Sequence, residues 1–150
     1  MFSSFYLTKG ACQQRLEHTL QRKLRVLCLH GYNTDKNVME YQMRHFRQVF
    51  SEVIDFVVID APFETPDEPP RELRKFLEPS GRTRFRSWLK FASWDSETNH
   101  SPDVVYGLEE VVEYLVEVMK TQGPFDGVLA FSQGGIIFRH FVRITQEIEP

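Results

Sequence analysis

Three short, nearly unbroken apolar runs, each parted from the next by a stretch of helical period, constrain this chain most. Leu24-Arg25-Val26-Leu27-Cys28-Leu29 ends at His30-Gly31, Val53–Ile59 closes at Asp60-Ala61-Pro62, and Asp126–Phe131 runs into Ser132-Gln133-Gly134-Gly135. Strands covered on both faces read as continuous apolar runs, whereas a half-exposed strand alternates. Between the first two, Asn37-Val38-Met39-Glu40 has the form of a capping box. Met39, Met43, Phe46 and Phe50 follow at i, i+4, i+7 and i+11, one helical face. Before the third run, Ser101-Pro102-Asp103 predicts a helix start. Val104, Leu108, Val111, Leu115 and Met119 keep its period, and Gly123-Pro124 ends it. Ile137, Phe141, Ile144 and Ile148 mark a last helix. Strand–helix alternation of this kind predicts an α/β domain with a parallel sheet.

With 150 residues there is room for one core, at residues 23–150, behind an N-terminal extension over 1–22. A formal charge of −3 gives no field that would recruit nucleic acid or an anionic membrane. No apolar stretch approaches the ~18 residues of a membrane span. Cys12 and Cys28 make neither a disulfide framework nor a zinc site, and Cys28, inside an apolar run, reads as a buried, inert thiol. Neither a metal nor an organic cofactor is implied. A reducing, cytoplasmic setting fits this cysteine usage. The alternative is mitochondrial, because Ser3, Ser4, Arg15 and Arg22 with only Glu17 acidic weakly resemble a transit peptide. Oligomeric state is left open.

Residues 61–100 differ in character. Pro62, Pro66, Pro69, Pro70 and Pro79 interrupt them and no period persists, so they read as a long, lid-like excursion. Phe85, Trp88, Phe91 and Trp94 recur at spacings of three, as an apolar lip over a site or as packing onto the body. Its arginines and lysines are offset by Glu64, Asp67, Glu68, Glu72 and Glu78, as on a solvated face.

Chemistry concentrates where the third run ends. A strand entering Ser132-Gln133-Gly134-Gly135 and then a helix is the setting of a nucleophile elbow, a sharp turn that lifts the serine Oγ above the sheet edge. The positions two before and two after the serine must be small, and they are Ala130 and Gly134. Free amides at the helix start can receive developing negative charge, and that of Gln133 is the expected oxyanion donor. A second donor should come from a neighbouring strand end, where the Tyr32 amide follows His30-Gly31. Phosphate binding at this turn has less support, since no Walker A or G-x-G-x-x-G run is present.

Several ordered blocks together resemble the FSH family of serine hydrolases, a branch of the α/β-hydrolases. They are Leu29-His30-Gly31-Tyr32, Ile59-Asp60-Ala61-Pro62, Arg86-Ser87-Trp88, Gly107-Leu108, and above all the stretch from Gly123 to Gly134. The family pattern carries Gly where this chain has Ala130. The resemblance implies a three-layer α/β-hydrolase-like domain and a Ser-His-Asp triad in which Asp and His follow the serine. Ser132 carries over as nucleophile, and the Tyr32 and Gln133 amides as oxyanion donors. The Asp and His do not: residues 133–150 hold no Asp and one His, His140, on the helix behind the elbow. His30 reads as a loop-ordering residue rather than a base. The expectation is therefore a serine hydrolase cleaving a small carboxylic ester or thioester, cut off after the elbow, without its C-terminal strands and with impaired activity. A non-catalytic binding or regulatory module and a gene fragment that retains only the pocket are the alternatives.

Overall fold

A computed structural model describes residues 22–91 and 105–148. Its centre is a parallel sheet of three strands, β1 (Leu24–Leu29), β2 (Ile54–Ile59) and β7 (Gly127–Ala130), in the order β2-β1-β7. Leu24 pairs with Ile54 and Leu29 with Ile59 on one side of β1, and Val26 with Gly127 and Leu29 with Ala130 on the other. Two antiparallel pairs of two-residue strands complete the set: β3 (Phe63–Glu64) against β4 (Arg86–Ser87), and β5 (Lys90–Phe91) against β6 (Val105–Tyr106).

The helices are α1 (Lys36–Gln42), α2 (Arg44–Phe50), α3 (Leu108–Gln122) and α4 (Gln133–Ile148). Side chains alternate across a strand, so β1 feeds two cores. Leu27 and Leu29 join Val111, Leu115 and Val118 of α3 and Ile137 and Phe141 of α4. Cys28 points the other way, to Met39 and to Met43 just after α1. Helices on both faces of a parallel sheet make the three layers of an α/β hydrolase-like fold. Cys28 is fully buried, and burial pushes its thiol up to about 12, out of reach of thiolate chemistry at neutral pH.

Three local expectations give way. The first helix is capped by Asp35, whose carboxylate accepts from the Val38 amide at 2.9 Å, and not by Asn37. The Asn37 amide instead donates to the Phe76 carbonyl. The helical face from Met39 to Phe50 is interrupted at Met43, which sits at φ −86°, ψ 0°. Helix α2 restarts from there with a changed phase, so Met39 and Met43 are buried while Phe46 (56% exposed) and Phe50 (39%) face outward. The helix expected from Ser101 starts at Leu108. Val105 and Tyr106 pair as a strand, and Gly107, at φ +92°, turns the chain into α3. Gly is required there, because a Cβ would also lie 3.0 Å from the Phe63 ring. Residues 101–104 lie outside the described residues, as do the extension over 1–21 and Trp94.

The described part of the excursion, residues 61–91, packs rather than standing clear. Its 3₁₀ segments Arg71–Phe76 and Glu78–Ser80 lead to Leu77 and Phe85, which bury against Val38. Phe85 and Trp88 are wholly inaccessible, so they belong to the core and form no lip. Arg82 pairs with Asp60 and Arg84 with Glu68. Among the described residues no helix is long and apolar enough to cross a membrane.

Candidate active site

Ser132 lies between β7 and α4 at φ +50°, exposed, one of two non-glycine residues with positive φ among those described. A non-glycine residue held there costs about 1–3 kcal/mol, so its surroundings must enforce it. They do so by hydrogen bonds on either side. The Phe131 amide donates to the Leu29 carbonyl at 3.0 Å, and the Gly134 amide donates to the Phe131 carbonyl at 3.0 Å. Helix α4 begins at the next residue, so the Gln133 amide stands at N1, where no carbonyl four residues back lies within the helix.

Gly134 shows how tightly the turn is seated. A Cβ there would lie 2.7 Å from the Leu29 and His30 carbonyl oxygens and 2.9 Å from the Leu29 Cβ. The smallness demanded at this position thus comes from the end of β1; Ala130, half-buried in β7, is not among its three nearest contacts. Gly31 closes the gap from the other side. A Cβ on it would stand 3.0 Å from the Phe131 ring and 3.5 Å from the Ser132 Cβ. The loop after β1 and the turn after β7 therefore meet at Ser132, although they are a hundred residues apart in sequence.

The peptide that carries the Tyr32 N–H is aimed by its own carbonyl. Gly123–Pro124 is the only cis bond among the described residues, so the Gly31–Tyr32 peptide is trans and its N–H points opposite to the Gly31 C=O. That carbonyl accepts from His30 Nδ1 at 2.8 Å and from Thr34 Oγ1 at 2.8 Å. The tautomer follows from the other ring nitrogen. His30 Nε2 lies 3.0 Å from the Ala61 amide, which can only donate, so Nε2 accepts and the proton is on Nδ1. Burial holds the His30 pKa below its ordinary value, against the contrary pull of the Gly31 carbonyl and Asp60, and keeps the ring neutral. His30 is 1% exposed with both nitrogens engaged, which is the geometry of a loop-ordering residue.

The loop is also strapped to the excursion. Asn33, at φ +50°, accepts from Thr65 Oγ1 at 2.9 Å and donates to the Glu68 carbonyl at 3.3 Å. The Tyr32 hydroxyl donates to Asp67 at 2.9 Å. Beneath it, Asp60 accepts from the Lys36 amide at 2.9 Å and from Arg82 at 2.7 Å. Burial pushes that carboxyl up, but these two donors outweigh it and hold it below its ordinary value.

His140 sits in α4, eight residues beyond Ser132, which at 1.5 Å per residue is about 12 Å along the helix. The structure does not bring it to the serine. Three polar contacts had no sequence signal. The Gln133 side chain is buried, and its Oε1 accepts from the Trp88 amide at 2.8 Å and from Ser87 Oγ at 3.2 Å. The Trp88 indole N–H donates to the His30 carbonyl at 2.8 Å.

The chain is 33% identical over 137 residues to "Esterase GA18864" of Drosophila pseudoobscura pseudoobscura, a match covering 88% of this chain and 43% of the relative. It is 31% identical to human "Esterase OVCA2", over 87% of this chain and 59% of that protein. A match to "Esterase CG5412" of Drosophila melanogaster, 30% identical, covers 83% and 43%. The chain thus spans about half the length of the curated relatives it matches. The profile of the family described as serine hydrolase (FSH1) matches residues 19–150, and the chain belongs to that family.

Proposed function

We propose that Ser132 is the nucleophile of an esterase that transfers an acyl group from a small carboxylic ester or thioester to water. The observation that carries this reading is the positive φ of Ser132 at a strand–helix junction, with Gly31 against its Cβ. In the acylation step Oγ bonds to the acyl carbon while a base takes its proton. The carbonyl oxygen becomes an oxyanion, and the alcohol or thiol leaves with that proton. Water repeats the sequence and releases the acid. The Gln133 and Tyr32 amides are the proposed oxyanion donors, and loss of one such donor typically costs ~2.7–4 kcal/mol of transition-state stabilisation.

A serine hydroxyl is a weak nucleophile until its proton is taken. His30 is committed on both nitrogens and His140 is remote, so the base is assigned to neither. Removing triad members elsewhere lowers kcat by ~10⁶ and leaves ~10³–10⁴ over water. A polypeptide of these 150 residues is therefore expected to react with a fluorophosphonate over hours, with the adduct mapping to Ser132 and absent in Ser132→Ala. Adduct formation that survives Ser132→Ala refutes the assignment. Reaction within seconds would mean that a group inside these residues serves as base. Binding of an ester without any adduct at Ser132 would favour the non-catalytic module.

A further inference from the structure

We propose that Trp88, through the Gln133 side chain, is a positioning residue that holds the two oxyanion-donor segments in register; this rests on Ser132 being the nucleophile. The two donors follow different strands, β1 and β7, and a single residue of the excursion bonds to both segments. The Trp88 backbone N–H reaches Gln133 Oε1 at 2.8 Å, on the residue whose own amide follows Ser132. Its indole N–H reaches the His30 carbonyl at 2.8 Å, one peptide before the Gly31–Tyr32 unit. Its ring also stands against the His30 imidazole, with centroids 5.4 Å apart at 41°.

All three partners are almost inaccessible: Trp88 0%, His30 1% and Gln133 8% exposed. Side-chain bonds between groups this buried are costly to break and have no water to substitute for them. A glutamine at N1 of a surface helix ordinarily faces solvent. Here its amide oxygen is drawn inward, and Ser87 Oγ, whose proton is shared with the Leu89 carbonyl at 2.6 Å, lies 3.2 Å from it. The consequence is rigidity at the place where it acts on rate. A displacement of ~1 Å between a nucleophile and its stabilising donors can lower the rate by ~10²-fold without any contact to substrate.

The test compares Gln133→Leu, which removes the acceptor, with Gln133→Glu, which keeps an oxygen there, and with Trp88→Phe, which removes only the indole donor. The rate of fluorophosphonate adduct formation at Ser132 is measured in the intact protein, separated into probe affinity and maximal rate, with a melting curve for each variant. Gln133→Leu is expected to lower the maximal rate about 10- to 100-fold with little change in probe affinity. Gln133→Glu should restore most of it. Trp88→Phe should slow the reaction too, and the double variant should be no slower than the worse single, because both act on one unit. Should Trp88→Phe fail to fold, the Leu and Glu pair at Gln133 decides. If the variants melt lower yet label at the wild-type maximal rate, Trp88 and Gln133 are structural only and the proposal is overturned. If the wild-type protein carries no adduct at Ser132, the nucleophile assignment fails first, and the positioning role falls with it.

Discussion

The two strand ends that meet at Ser132 are held in opposite ways. The end of β1 is enclosed: Leu27, Cys28 and Leu29 are fully buried, and the loop beyond it is fixed by His30, Thr34, Asn33 and Asp35, each hydrogen-bonded. The end of β7 is open. All four of its residues are half-buried, Phe131 is 60% exposed, and among the described residues β7 pairs with β1 alone. Geometry on the first side comes from saturated hydrogen bonding. On the second it comes from one strained residue, held by the bonds of the Phe131 and Gly134 amides and seated against the end of β1. The difference teaches that the loop after β1 is the template and the Ser132 turn is fitted to it.

Gly134→Ala attacks the contact between the two and is expected to be the most damaging change. The new methyl would meet two backbone oxygens that cannot swing aside, so overpacking should cost about 1–3 kcal/mol and displace Ser132. Denaturant unfolding measures the loss, and an unchanged midpoint would show that the end of β1 yields.

A pH series probes the template next. His30 is buried and neutral, with its pKa lowered chiefly by burial. In acid the unfolded chain therefore binds a proton at this site that the folded chain refuses. Its contribution to stability is complete above the ordinary histidine value of about 6.5 and declines as pH falls from there toward the lowered folded value. His30→Gln, which keeps one donor and one acceptor, should flatten that part of the stability–pH curve. A curve identical to wild type between neutral and mildly acidic pH would remove His30 from this role.

Phe131→Ala should have the smallest effect, within about 0.5 kcal/mol, because the ring is mostly exposed already. A larger loss measured in the same unfolding experiment would mean that the open side is more enclosed than this comparison holds.

Legibility followed the range of the forces involved. The three apolar runs were readable because strands packed between helices leave a local signature, whereas their order and register were set by the tertiary structure. The Ser132 turn was readable because its residue pattern falls within five consecutive residues, Ala130 to Gly134, although the contact that keeps Gly134 small comes from the end of β1. The break at Met43 was not, since neither Pro nor Gly marks it and only packing chooses which methionine face is buried. The late start of α3 was hidden because Pro102 and Asp103 offer a plausible cap while strand pairing with Lys90–Phe91 occupies Val105 and Tyr106.

The sequence by itself determined the layered α/β architecture, the turn that bears Ser132 and the inert character of Cys28, because periodicity and glycine placement act between near neighbours. Tertiary structure alone decided the tautomer of His30, the close seat of Gly134 and the bridge from Gln133 through Trp88 to His30. Those depend on which donors and acceptors, dozens of residues apart, are left facing each other once water has been excluded, and chain order does not carry that information.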